Sequence, residues 1–546
     1  MIVRMRHLDL VCTAADRAST LEKLRQLGVV HFDLASAQGA EVVAARTGLE
    51  DAEKAVRLIV KARGGSSRDD FDVRPLTVEN VLALAADRET LAAERDRLER
   101  EIRQYESYGD FDPELARRML EKAGELREIL PAKLPAMRLS RMREKLSRVI
   151  NRIGIDTAKL AAGDDRAILK AFPQLVDVLS FAQAAELLRE KGLVAVISGW
   201  VPAVQEGRIR DEARANGWGV LLRASEGAET PPTLIEPPRI FRPMKALFNG
   251  LGIAPAYTEA DVSVPFMCYF SLFFAMLVGD GAYGAIFLGG TLLLRKRLPR
   301  AWFALLVVFS SATILWGCLS NTWFGAGLPW CANWPTVKWL ADPSYHNMML
   351  LCFTIGVSHL MLARLWNGLC KLNDSTCVAE FGWAGVLLFM YFVTNSIVGI
   401  FAGIPTWAFW MFGVSLVAVF GFTVKPSELK SRGAELGMLP LNIMSALGDI
   451  ISYVRLFAVG LASVKVAENF NSMAVGLMDG GSSIWAKALL AVMMAAILLV
   501  GHSLNLAMAG LSILVHAVRL NTLEFSNHKG VSWAGYAFKP FTKAKE

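Results

Sequence analysis

Two arginines stand inside long apolar runs of this sequence. Arg455 lies at the middle of the run from Leu441 to Phe470, and Arg519 lies in the run from Ile484 to Phe525. A charge in such a setting is costly in free energy and marks an ion path or a counter-ion site. Positions three, four and seven residues from Arg455 are Gly448, Ile451, Ser452, Ala458, Val459 and Ala462. Most are small, so a second large element can come close to the guanidinium. The other reading of Arg455 is a structural arginine paired within its own bundle. Asn505, Ser512, His516 and Thr522 fall on the helical face of Arg519, a stripe that suits a hydrated path or hydrogen bonds between helices. Asp449 shares a stripe with Ser445 and Ser452 and is a candidate lining residue of a proton path. Glu524 sits near the inner end of its run, beside a water-filled access or at the interface. The candidate ion-translocation residues are Arg455, Arg519, Asp449, His516, Glu524, Ser452, Asn505 and Ser512. Asp280 is expected to satisfy backbone at a helix end, His359 and His502 to be packed polar groups, and Glu468 to project away from Arg455.

Patterns for other chemistry are missing. There is no GxxxxGK[ST], no HExxH and no nucleophile elbow. GDGAYG (279–284) matches a dinucleotide-binding pattern in letters only, because it sits inside an apolar run without a βαβ context. The seven cysteines are scattered without a CxxC pair, so no metal or redox centre is expected; a Cys318–Cys331 bridge is conceivable. The chain is expected to break no bonds itself and to hold no cofactor.

The elements that position these residues follow from composition. Of 546 residues, 53% are hydrophobic and 20% charged, with mean hydropathy +0.36, which excludes an ordinary soluble protein and a disordered one. Residues 1–260 hold 40 Lys+Arg and 39 Asp+Glu, whereas residues 261–546 hold 18 and 12. A balanced soluble half of 1–260 thus precedes a membrane half of 261–546, and a nucleic-acid partner is not expected. The N-terminus is charged and reads as no signal peptide.

In the soluble half, residues 1–40 and 191–225 each read as a βαβ lobe, the first with VVHFDL (29–34) as its second strand. Between them, about 41–190, Leu84, Leu91, Leu98 and Tyr105 recur every seven residues among charges, which predicts an antiparallel coiled-coil arm returning around 126–159. A solvated helical bundle is the alternative. A proline-rich linker (226–260) closes this half.

The membrane half predicts an α-helical polytopic domain. Seven apolar segments appear, and charge placement raises them to eight: RKRLPR (295–300) belongs on the cytoplasmic side with the soluble half, so the first segment must split at GDGAYG. Its pieces, 264–279 and 282–296, are short against a bilayer core of about 30 Å, either two thin spans or a re-entrant hairpin. The last two segments are long and must tilt or project.

LGDIISYVRLFAVGLA (447–462) and GHSLNLAMAGLSILVHAVRLNTLEF (501–525) resemble the two signature helices of the V-type ATPase a subunit, called subunit I in bacteria and archaea. PPTLIEPPRIFRP, VPFMCYFSLFFAMLVGDGAYG, ISGWVP (197–202) and the terminal Pro540-Phe541 are similar to that family too. The soluble arm is short for the family. The resemblance implies a non-catalytic stator subunit of a rotary ATPase in a prokaryotic membrane, with both termini cytoplasmic. It implies as partners a proteolipid ring (subunit K/L), peripheral-stalk subunits of E/G type, central-stalk neighbours and the lipid membrane. Arg455 matches the essential arginine and Arg519 its auxiliary, where two half-channels for H⁺ or Na⁺ meet. Where eukaryotic members carry further acidic and histidine residues this sequence has Leu441, Ser463 and Ala509; Asp449, His516 and Glu524 are the substitutes. A secondary ion-coupled transporter is the main alternative, although no repeat relates the segments and the helical arm then has no role. A membrane-anchored scaffold is the third, and it does not need Arg455.

Overall fold

The computed structural model describes the whole chain except residues 65–74, 123–133, 227–228, 328, 330–332, 341, 343, 426–428, 479–483 and 544–546. Two compact units emerge. One comprises Arg4–Glu226 with Lys539–Glu546, the other Met1–Val3 with Gly227–Phe538. The proline-rich stretch therefore belongs with the membrane unit, and the last residues belong with the soluble one.

The soluble unit runs β1 (Met5–Thr13), α1 (Arg17–Leu27), α2 (Ala40–Arg63), α3 (Val78–Tyr105), α4 (Pro113–Lys122), α5 (Leu139–Ala162), α6 (Arg166–Leu187), β2 (Arg189–Lys191), β3 (Val194–Pro202), α7 (Glu206–Asn216) and β4 (Gly219–Ala224). The strands form one antiparallel sheet in the order β2-β3-β1-β4. Leu8, Leu10 and Cys12 alternate along β1 onto its buried face, opposite Gly199, Ile197 and Ala195 of β3. Leu21, Leu24, Ala184 and Ile209 cover that face.

The two expected lobes are thus a single lobe, and 29–34 is not a strand. β2 occupies the outer edge of β3 along Val194–Val196. Only the Trp200 end of that edge is left, and His31 takes it as an isolated bridge with reciprocal 2.8 Å backbone bonds. Gly199 permits the approach, since a Cβ there would lie 2.8 Å from the His31 carbonyl oxygen.

The helical arm folds back on itself. Ile102 and Tyr105 at the end of α3 meet Leu139 and Met142 at the start of α5, while Val81 near the start of α3 clusters with Leu160 and Ala161 at the end of α5. The pair is antiparallel, as the heptad predicts. The described return helix is α5, beginning at Leu139, and the expected start near 126 lies outside the described residues. Arg63 grips Asp165 with two nitrogens, at 3.0 and 2.9 Å, and ties the end of α2 to the start of α6. The C-terminal tail packs into this unit: the Phe541 N–H donates to the Val30 carbonyl (2.7 Å) and its ring stands edge-on to Phe32.

The membrane unit contains α8 (Met244–Leu251), α9 (Ser263–Val278), α10 (Gly281–Leu293), α11 (Arg300–Ser320), α12 (Pro335–Leu340), α13 (His346–Cys370), α14 (Cys377–Ile397), α15 (Thr406–Phe422), α16 (Leu429–Ile451), α17 (Val454–Met478), α18 (Ile484–Ser512) and α19 (Ser526–Lys529). Among the described residues, five helical stretches are long and apolar enough to cross a membrane, including the composite rods Leu436–Leu477 and Lys487–Lys529 of 42 and 43 residues. The pair α9–α10, bent by 117°, adds a sixth, and α15 is a shorter apolar helix. All eight expected segments are therefore helical, and the first does break at GDGAYG. Gly279 turns the chain there at φ +71. Asp280 caps α10, accepting from the backbone N–H of Ala282 (2.8 Å) and of Gly325 (2.9 Å). Cys331 and its conceivable bridge lie outside the described residues.

Candidate functional site

α16 and α17 are one rod interrupted at Ser452 and Tyr453. Tyr453 explains the break. Its ring is fully buried against Gly356, where a Cβ would fall 2.6 Å away, and its hydroxyl is 2.8 Å from Nδ1 of His359. Holding that ring inward tightens the backbone to i→i−3 bonds, as in Leu456 N–H to the Tyr453 carbonyl (3.0 Å). Arg455 lies two residues beyond Tyr453, and its Nε donates to the Ser452 carbonyl at 2.8 Å. The guanidinium is thereby fixed at the interruption.

The last rod is irregular at the matching level. Ile513–Ala517 and Leu520–Phe525 are π-helical, with Arg519 between them. A π turn holds more residues than an α turn, so it rotates every later side chain relative to those before it. The stripe expected from Asn505 to Arg519 is broken for this reason: Asn505 is buried, whereas the Arg519 side chain is 56% exposed. The same rotation carries Glu524 inward, to the interruption in the neighbouring rod.

The result is one carboxylate shared by two arginines. Glu524 Oε1 accepts from Arg455 Nη2 at 2.7 Å, lies 3.5 Å from Arg519 Nε, and is 3.4 Å from the Ser452 hydroxyl. Its side chain is 6% exposed, and Oε2 is buried with no hydrogen-bond partner among the described residues. Arg455 is therefore paired within its own polypeptide, but it is not shielded: 21% of its side chain remains exposed. Two cations on one anion leave a net positive charge. Exposed small and apolar residues lie along the same two rods, among them Gly448, Ala458 and Ala462 on the first and Ala507, Met508 and Leu511 on the second. Nδ1 of His516 is buried without a hydrogen-bond partner among the described residues, and Ser512 ends the regular part of its rod.

A second set of charges continues from Ser452. Its hydroxyl donates to the Asp449 carbonyl (2.7 Å). The Asp449 carboxylate is 3.1 Å from His528 Nε2, His528 Nδ1 accepts from Arg364 Nε at 3.1 Å, and Arg364 pairs with Glu380 at 3.2 Å. Lys371 completes the row at 2.6 Å from Glu380. A cavity of about 460 Å³ opens on this row, lined by Asn442, Ser445, Asp449, Arg364, Asn527 and His528 among others. Sequence reasoning missed His528 and Glu380, which Arg364 joins from α13. The signals were faint: His528 is four residues beyond Glu524, and Glu380 is an acid in the first turn of an apolar helix.

Asn505 belongs to a third group. Its amide donates to the Tyr283 hydroxyl (3.0 Å) and the Ser463 carbonyl (2.8 Å), while the Ser463 hydroxyl donates to its oxygen (3.1 Å). Tyr283 also reaches His502 Nδ1 at 2.8 Å, and His502 Nε2 is 3.2 Å from Asn471. These bonds lash α10 to both long rods. Gly279 and Gly460 allow the approach: a Cβ at Gly460 would lie 2.4 Å from the Met276 carbonyl oxygen. Glu468 pairs with Lys465 at 2.6 Å, away from Arg455. Among the described residues, no three His, Cys, Asp or Glu side chains are grouped so as to hold a metal ion.

Fold and site together define a multi-pass membrane protein whose two longest rods present paired arginines to an open face. No family model matches the chain. Curated relatives do. It is 32% identical to the V-type ATP synthase subunit I of Borreliella burgdorferi over 404 residues, 69% of this chain and 64% of that protein. It is 28% identical to V-type ATP synthase subunit I 1 of Treponema pallidum, over 99% of this chain and 100% of the relative. The A-type ATP synthase subunit I of Methanocaldococcus jannaschii is 25% identical over 64% of the chain and 55% of its own length. The chain thus spans somewhat under two thirds of the first relative and the whole of the second. Each of these similar proteins is a subunit I of a V-type or A-type ATP synthase.

Proposed function

We propose that this chain is the stator of a rotary ATPase, with its two long rods facing a turning ring of proteolipid subunits (K/L type) that each carry a membrane carboxyl group. The observation that carries this reading is the Arg455–Glu524–Arg519 cluster beside exposed small residues, where a second helix can approach a guanidinium closely.

A ring carboxyl travelling through lipid must be neutral, by protonation or by a bound cation. Beside Arg455 the positive charge favours its ionised form, so the acid gives up its ion there. The same charge repels cations from a direct leak between two half-channels. Asp449, Ser452 and the cavity at His528 suit the inner half-channel, and His516 and Ser512 line the approach to Arg519. Asn505 acts further along, holding the bent pair against the rods on the side of the outer half-channel. The transported ion is H⁺ or Na⁺, and ATP chemistry belongs to other subunits. In this reading the chain crosses a prokaryotic cell membrane eight times with both termini in the cytoplasm. The antiparallel arm meets peripheral-stalk subunits of E/G type, near the central-stalk neighbours, and resists torque.

The test is Arg455→Ala in the assembled complex. ATP-coupled ion uptake into vesicles is lost while the ring and stalk subunits still co-purify. Undiminished coupled uptake, or a chain that purifies alone and transports, rejects the stator reading; the latter favours a secondary transporter.

A further inference from the structure

We propose that Glu524 is an exchangeable counter-ion: it neutralises Arg455 between passages of the ring, and it takes the proton that a ring carboxyl sheds on displacing it. This rests on the stator reading above, and it assigns the first acceptor of the proton to a residue of this chain.

Three observations carry it. Glu524 binds the arginines through Oε1, and Oε2 is buried with no partner among the described residues. A proton can therefore be added at Oε2 without first breaking the bond to Arg455. Both guanidinium groups stay partly exposed while Glu524 is buried, so an arriving carboxyl meets the cation from the open side and competes with an anion behind it. Finally, the Ser452 hydroxyl lies 3.4 Å from Glu524 Oε1 and bonds to the backbone carbonyl of Asp449, whose own carboxylate reaches His528. A proton on Glu524 thus has polar neighbours toward the cavity.

The step balances. The O–H bond of the neutral ring acid breaks, an O–H bond forms on Glu524, and the ring carboxylate takes over the guanidinium of Arg455. The cluster and ring group together carry the same charge before and after, so no charge enters or leaves a low-dielectric site during the exchange. Ionisation to a distant acceptor has no such compensation. Glu524 then releases its proton toward Ser452 and the cavity, and it recaptures Arg455 once the ring carboxylate has been reprotonated and moved on. The charged and titratable groups around Glu524 are Arg455 and Tyr453 at the interruption, Arg519 and His516 on its own rod, and Asp449 beyond Ser452.

The experiment uses the whole complex in vesicles, with an internal pH-sensitive dye reporting ATP-driven proton uptake, in which the same exchange runs in reverse and the proton passes from the cavity through Glu524 to the ring carboxylate. Glu524→Gln keeps an acceptor for Arg455 but cannot take the proton. Coupled uptake falls by about a hundredfold, the usual contribution of a positioned acid–base group, with assembly intact. Glu524→Asp restores part of the rate with a displaced pH profile, because the acid is present but withdrawn from Arg455. Uptake by Glu524→Gln equal to that of the unmodified complex overturns the exchange, while Arg455→Ala still decides the stator reading separately. Uptake that depends on sodium and moves no protons also overturns it. Should Glu524→Gln fail to assemble, Glu524→Asp decides: an unchanged rate and pH profile overturns the proposal, and a slowed rate with a shifted profile supports it.

Discussion

Arg455 and Glu524 are 69 residues apart in sequence and 2.7 Å apart at their charged ends. Two irregularities bring them together. The interruption at Ser452 and Tyr453 aims the arginine, and the π turns beyond Ser512 aim the glutamate. Neither rod as a regular α-helix would present both groups at one level.

The two arginines are not equivalent. Arg455 has the short bond to Glu524 and a second bond to the Ser452 carbonyl, whereas Arg519 is the longer and more exposed contact. Arg519→Ala is expected to impair ATP-coupled uptake less than Arg455→Ala. Side-by-side uptake measurements check this, and equal losses would merge the two roles.

The Tyr283 hydroxyl serves His502 and Asn505 at once. Tyr283→Phe leaves both partners short of a bond in a buried place, a cost of about 1–3 kcal/mol. Its signature is earlier thermal unfolding of the purified chain, with cysteines introduced in α10 becoming easier to modify. An unchanged melting curve would mean that the lashing of α10 contributes nothing.

Phe541 carries the tail into the soluble unit, buried against Phe32 and bonded to Val30. Phe541→Ala is expected to destabilise that unit by about 3 kcal/mol and to expose the tail to protease. Native-like resistance of the tail would refute the docking.

His31 makes that docking acid-sensitive. Burial of its imidazole holds its pKa below the ordinary 6.5, outweighing the pull of the Lys539 carbonyl toward the charged form. Between the depressed native value and 6.5 the unfolded chain binds more protons than the folded one, so stability falls as pH drops through that window. His31→Gln should flatten this part of the stability–pH curve, measured by denaturant unfolding across mildly acidic pH. An equally steep curve in the variant would place the acid sensitivity elsewhere.

Cysteines placed in 295–300 are expected to react with membrane-impermeant reagents only from the cytoplasmic side. Labelling from outside would overturn the two-span reading of α9 and α10.

Local chemistry was legible in the residues. The apolar runs, the Gly-rich break with Asp280 as a cap, the heptad of the arm and the isolated arginines all follow from hydropathy, spacing and the cost of charge in lipid, which act at short range along the chain. The pairing of those pieces was not. Whether 29–34 becomes a strand depends on β2 having already claimed the edge of β3, a fact 160 residues away. The stripe through Asn505 and Arg519 assumed a constant helical period, and the π turns that break it are stabilised by packing that no sequence period records. His528, Arg364 and Glu380 share one row only because three helices converge. The sequence by itself determined which stretches are long and apolar enough to cross a membrane and that two arginines within them carry costly charge. The tertiary structure alone decided which carboxylate answers that charge, because a counter-ion is chosen by distance in space and not by position in the chain.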